Sequence, residues 1–88
     1  MTMHNAIKIH KRIGFSFHIE FDSGEKRWVD VSKLVENNQK FVIYKRNPKL
    51  LDGCIIDQGH LEFSRGLKIT GSTLYHMGQV VIPAEENS

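Results

Sequence analysis

Residues 15–31 read FSFHIEFDSGEKRWVDV, and the pairing inside this stretch decides the architecture. Phe15, Phe17, Ile19 and Phe21 occupy every second position, separated by Ser16, His18 and Glu20. A period of two sends alternate side chains to opposite faces of a strand, so the aromatic set has to point into a core. Asp22-Ser23-Gly24 breaks the pattern. The register across that break follows from face consistency, because a slip of one residue turns every partner over. A three-residue loop with Gly24 in the left-handed position pairs Phe17 with Val29 and Phe15 with Val31. On the opposite face it pairs Glu20 with Lys26, His18 with Trp28 and Ser16 with Asp30. A four-residue loop would set Phe17 against Asp30 and is rejected. One pair is mixed: Ile19 meets Arg27, whose aliphatic stem is expected to lie over the edge of the core.

The pattern extends outward from this hairpin. Ile7 and Ile9 alternate with Lys8 and His10, which predicts a half-buried strand ending at Gly14. After Val31, Ser32 is expected to cap a short helix carrying Leu34 and Val35, with Asn37-Asn38 as its end. Phe41 to Tyr44 reads as a strand or as an irregular core-filling segment. Asn47-Pro48 marks a turn, after which Leu50 and Leu51 pack. A second hairpin across Gln58-Gly59 sets Ile56 against Leu61 and Cys54 against Phe63, leaving Ile55, Asp57, His60 and Glu62 on the other face. Leu67 and Ile69 predict a further strand. Ser72 is expected to open a last short helix with Leu74, Tyr75 and Met77, stopped by Gly78.

The two hairpin regions echo each other. His18-Ile19-Glu20-Phe21 with Gly24 and Lys26 corresponds to His60-Leu61-Glu62-Phe63 with Gly66 and Lys68, at a constant offset of 42 residues. Each runs strand, glycine turn, strand, Ser-led short helix. Duplication and ordinary turn chemistry both produce such an echo.

Composition bounds the rest. The chain has 88 residues, 40% hydrophobic and 25% charged, which suits one soluble globular domain. So short a chain buries only roughly 60 to 65% of the surface that its unfolded form exposes, and a homodimer would add stability. The expected class is α+β: a small antiparallel sheet of two hairpin units with two short helices. Residues 1–82 are expected to form the domain and 83–88 a flexible C-terminal tail. The single Cys54 has no partner for an internal disulfide, and the N-terminus lacks the order of a signal peptide, so a reducing cytoplasm is expected. The longest apolar run, Val80-Val81-Ile82, is far short of the roughly 20 residues that span a bilayer.

Chemistry has few footholds. Cys54 falls on an apolar face, no Ser sits in a nucleophile elbow, and the glycines never assemble into a phosphate-cradling loop. Neither catalysis nor a cofactor is expected. A metal would need His18, Glu20, His60 and Glu62 to converge, which their spacing does not require, and no metal site is assigned. Protein binding fits better. Trp28 falls on the polar face of the first hairpin with His18 and Lys26, and buried contact sites between proteins favour Trp. The alternative is a nucleic-acid module using the basic loop, with Tyr44 stacking bases and Lys45, Arg46 and Lys49 holding phosphates. A formal charge of +2, from 12 basic and 10 acidic residues, is a weak electrostatic footprint for that role.

The runs Phe21-Asp22-Ser23-Gly24, Val29-Asp30-Val31-Ser32-Lys33-Leu34, Leu61 to Ile69 and Thr73-Leu74-Tyr75 resemble the bacterial domain-of-unknown-function family 2442, over residues 6–78. That family's pattern is Phe-x-Asp-Gly, a Val-Asp-Leu step into a short helix, then Trp-Pro-Asn-Gly, Asp-Leu and Leu-Tyr. Here Phe63-Ser64-Arg65-Gly66 stands for Trp-Pro-Asn-Gly, and Lys68 takes the place of an acid. The resemblance implies a small cytoplasmic α+β domain without catalysis, from compact operons resembling toxin–antitoxin pairs. No helix-turn-helix is visible in the sequence.

Overall fold

Gly24 (φ 90°) and Gly66 (φ 83°) both take the left-handed backbone conformation that other residues avoid. Each closes the same turn. Gly24 N donates to Phe21 O at 2.8 Å and Phe21 N to Glu25 O at 2.8 Å; Gly66 N donates to Phe63 O at 3.0 Å and Phe63 N to Leu67 O at 2.7 Å. The sequence echo is therefore an echo of hydrogen bonds. The computed structural model that shows this describes residues 4–64 and 66–80, and of Gln79 and Val80 the backbone alone. The expected tail, 83–88, lies outside the described residues.

Each turn is the second bend of a three-strand meander that runs into a helix. In the first unit β1 (Ala6–Ile13), β2 (Ser16–Phe21) and β3 (Lys26–Asp30) lead to α1 (Ser32–Asn37). A 3₁₀ turn (Gln39–Phe41), α2 (Val42–Arg46) and a 3₁₀ segment (Pro48–Gly53) connect to the second unit. There β4 (Ile55–Asp57), β5 (His60–Glu62) and β6 (Lys68–Ile69) lead to α3 (Gly71–Met77), and β7 (Gln79–Val80) returns to pair with β3. The fold is α+β with antiparallel hairpin units. The units lie in two sheets, ordered β1-β2-β3-β7 and β4-β5-β6.

Both hairpin registers follow the face argument. Phe17 opposes Val29, His18 opposes Trp28 and Glu20 opposes Lys26, while Ile56 opposes Leu61 and Asp57 opposes His60. Val31 N also reaches Phe15 O at 2.9 Å, which continues the first pairing. Gln58 and Gly59 both have positive φ, as a two-residue I′ loop requires.

Four local expectations are corrected. Ser32 does not cap α1: Asp30 Oδ1 accepts from Ser32 N at 2.8 Å, because an Asp leaving a strand reaches the amide two residues ahead. Thr70, not Ser72, caps α3, its hydroxyl accepting from Thr73 N at 3.3 Å. Phe41 to Tyr44 is helical, which puts Phe41 and Tyr44, three apart, on one buried side and leaves Val42 outside. β1 is not a simple alternating strand. Register shifts fall between Ala6 and Lys8 and between Ile9 and Lys11, so Ile7 is 53% exposed while Ile9 packs on the core.

One core serves both sheets. Phe17, Ile19, Phe21 and Val29 from the first share one buried cluster with Leu61 and Ile69 from the second, Phe63 of the β5–β6 connection, and Tyr44, Leu51 and Leu74. Backbone bonds stitch the units, Ala6 N to Gly59 O at 2.9 Å among them, and Arg12 pairs with Asp52. Gly71 lies so close to the carbonyls of His4 and Gly59 that a methyl there would overlap both. Among the described residues no helix is long and apolar enough to cross a membrane.

Candidate functional site

With one side of the four-stranded sheet in the core, its other side carries Lys8, Lys11 and Ile13 from β1, Ser16, His18 and Glu20 from β2, and Lys26, Trp28 and Asp30 from β3. None of these side chains is buried. The cross-strand pair predicted from register is a ring stack: His18 and Trp28 have centroids 4.8 Å apart and planes 11° from parallel. A third ring joins from the opposite neighbour. The bulge between Ile9 and Lys11 leaves His10 as the extra residue of β1, and its ring lies 5.5 Å from that of His18.

That bulge also changes the ion pairing. Glu20 Oε1 lies 2.7 Å from His10 Nε2, so Glu20 is held by β1 and not by Lys26 as register alone predicts. The His10 hydrogen bond is the main reason that the Glu20 carboxyl sits below the usual carboxylate range, with Lys26 and Lys8 adding to it. His18 is pushed the other way from the charged form. Desolvation, then His10, Lys26 and Lys11, lower its pKa. Its Nε2 is buried with no hydrogen-bond partner among the described residues. A buried polar atom left unpaired costs about 1–3 kcal/mol. The stack is thus held at some expense of stability.

The other sequence candidates are placed differently. Tyr44 is fully buried against Phe41 and Phe63, with ring centroids 6.2 and 5.3 Å away, so it offers no face to a base. This corrects its assignment to a stacking role. Lys45 and Arg46 end α2 and Lys49 follows on the 3₁₀ segment, all three exposed. Arg46 borders a shallow cleft of about 490 Å³ with Glu36, Asn37, Asn38, Gln39 and Val42. His60 does structural duty: its Nδ1 accepts from Gly71 N at 3.0 Å, at the start of α3. The pairs His18/Glu20 and His60/Glu62 sit in separate sheets with separate partners. Among the described residues no group of three or more His, Cys, Asp and Glu side chains is arranged to hold a metal ion. Burial pushes the Cys54 thiol up to about 12, so at neutral pH it is a protonated, apolar filler.

Sequence reasoning missed one cluster. The Arg27 guanidinium lies 3.7 Å from the centre of the Tyr75 ring, and His4 stacks on that ring at 3.5 Å. Tyr75 OH donates to Glu25 Oε1 at 2.8 Å, and Arg27 Nε to Glu25 Oε2 at 2.8 Å. Arg27 Nη1 adds the carbonyls of Tyr75 and Gly78 at 2.9 and 3.3 Å. Glu25 is held below its ordinary pKa, first by the Tyr75 hydroxyl and then by Arg27. The available signal was the misfit of Arg27 opposite Ile19. The cluster satisfies its own donors and clamps α3 to β3, so its role is structural.

The arrangement with chemistry to spare is the outer sheet face: three stacked or tilted rings, one unsatisfied imidazole nitrogen and three lysines around them. No protein-family model, no curated protein and no solved structure matches this chain.

Proposed function

We propose that the chain is a noncatalytic protein-interaction module of regulatory kind, and that it docks its partner on the outer face of the four-stranded sheet around Trp28, His18 and Lys26. The observation that carries this reading is the Trp28–His18 stack, half-buried on a face where none of the described side chains is fully buried. A sheet normally covers an aromatic face with a second layer. Trp is among the residues that most often anchor contacts between proteins. The resemblance to family 2442 adds that the partner is encoded beside this chain in a small bacterial operon of toxin–antitoxin type.

The test compares the native chain with Trp28→Ala and Trp28→Phe, after circular dichroism has shown equal folding. Sedimentation velocity reads self-association, and affinity purification reads binding to the products of adjacent genes. Trp28→Ala is expected to lose the complex and Trp28→Phe to keep it. Identical behaviour of Trp28→Ala and the native chain in both assays would remove this face from the proposal.

A further inference from the structure

We infer that the helical connector, residues 33–49 from α1 through α2 to the start of the second 3₁₀ segment, is a binding surface separate from the outer sheet face, and that it grips the phosphate backbone of a nucleic-acid duplex through Lys40, Lys45, Arg46 and Lys49. The charge of the chain is unevenly spread. Of 12 basic and 10 acidic residues, the connector holds five basic, Lys33, Lys40, Lys45, Arg46 and Lys49, against the single acid Glu36, which leaves seven against nine elsewhere. The formal +2 of the whole is thus a connector of +4 on a body of −2. Phe41 and Tyr44 turn the apolar side of the connector to the core, and all five basic side chains stay exposed. None of the five makes an ion pair among the described residues, where the pairs are His10–Glu20, Arg12–Asp52 and Arg27–Glu25. Asp52, the next acid along the chain, is already taken by Arg12. Burial of the Tyr44 ring removes a stacking platform and leaves these cations where they are. The cleft between α1 and α2 adds neutral donors, setting Arg46 beside Asn37, Asn38 and Gln39. Asn38 Oδ1 accepts from Lys40 N at 3.0 Å, so its amide N–H groups are the part left to face a ligand. Guanidinium and side-chain amide groups are common partners of phosphate oxygens. Glu36 is the one acid in the cleft and opposes an anion there.

Other occupants lack what they need. Single strands are held by bases stacked on exposed rings, and both rings of the connector, Phe41 and Tyr44, are buried. A membrane surface takes long amphipathic helices with large apolar side chains inserted, whereas α2 has five residues and Val42 is the one exposed large apolar side chain on the connector. Contacts between proteins are depleted in lysine, and four of the five cations here are lysines. A second copy would set +4 against +4, and like charges brought together disfavour association. A duplex asks only for exposed, unpaired cations, because it carries one negative charge per about 1.7 Å of its axis.

The test titrates the full chain into fluorescently labelled DNA and RNA duplexes of two unrelated sequences and reads anisotropy. With one phosphate covered by each of four cations, the log–log salt slope is about −3.6, and affinity falls about 150-fold between about 0.05 M and 0.2 M salt. Both sequences should bind alike, since phosphate contacts carry no sequence information. Lys45→Gln, Arg46→Gln and Lys49→Gln together should flatten the slope to about −0.9, once circular dichroism has shown equal folding. Glu36→Gln should tighten binding by about twofold to fivefold. Lys8→Gln, Lys11→Gln and Lys26→Gln together, on the outer sheet face, should leave it unchanged. A preference for DNA or for RNA supports the inference and names the helix form that is gripped. Absence of duplex binding at about 0.05 M salt overturns it, as does a connector variant with the native slope. Tighter binding of oligo-dT than of either duplex overturns the duplex assignment, and so does binding to anionic lipid vesicles that a duplex fails to compete away. Loss of duplex binding in the outer-face variant, with the connector variant unaffected, overturns it as well. The Trp28→Ala comparison stands apart from all of these outcomes.

Discussion

Replacing His18 by Phe is expected to make the protein more stable. Among the described residues the imidazole Nε2 is buried without a partner, a defect worth about 1–3 kcal/mol in a fully enclosed site. The ring sits on a sheet face and is only half-buried, so relief near the low end, about 1 kcal/mol, is the appropriate figure. Phe keeps a flat ring against Trp28 and adds no donor or acceptor. In a domain of 60–100 residues a gain of about 1 kcal/mol raises Tm by about 4–8 °C. The pH dependence carries a second signature. His18 titrates lower in the fold than its ordinary value of 6.5. Below that value the unfolded chain therefore takes up the proton first, and stability falls as pH drops from there toward the folded pKa. Phe removes this contribution, so the gap between variant and native chain should widen on going from about pH 7.5 to about pH 5.5. Urea unfolding followed by far-UV circular dichroism at the two pH values measures both. A variant no more stable than the native chain at the higher pH, or a gap equal at both, would refute the reasoning. If the gain appears, the face holds a polar atom at the expense of stability, as sites kept for binding commonly do.

The two glycine turns give a paired prediction. A Cβ at Gly24 or at Gly66 meets nothing within 4 Å, so alanine at either position costs only backbone strain, about 1–2 kcal/mol. The two losses should be equal and should add to within about 0.5 kcal/mol, and chemical denaturation of the single and double variants checks this. A clear inequality would end the equivalence of the turns. Cys54, buried and with its thiol pushed up to about 12, should react with a thiol-specific reagent only as fast as the fold opens. Labelling should therefore accelerate with urea below the unfolding midpoint, whereas labelling at the rate of a free thiol in native buffer would contradict the packing described.

The candidate site was half legible. Register placed Trp28 beside His18 on the outer face, because alternation and turn length are local properties of residues 15–31. The third ring was not legible. His10 reaches Glu20 only because β1 bulges, and a bulge in a strand leaves no mark in a pattern such as Ile7-Lys8-Ile9-His10. Tyr44 was misjudged for a related reason. A basic tail on an aromatic residue reads as a binding loop until Phe41 and Phe63 are seen to enclose the ring.

By itself the amino-acid order determined both hairpin registers, the left-handed Gly24 and the sorting of Phe17, Ile19, Phe21 and Val29 inward. Each of these follows from side-chain periodicity and from the few backbone conformations that a tight turn allows. Only the tertiary structure decided that the hairpin units form two sheets over one core, that residues 39–53 wind into short helical segments, and that the His18 Nε2 is buried with no hydrogen-bond partner among the described residues. Those outcomes depend on which distant surfaces meet, and burial of a given atom is a property of its neighbours in space, which no local pattern encodes.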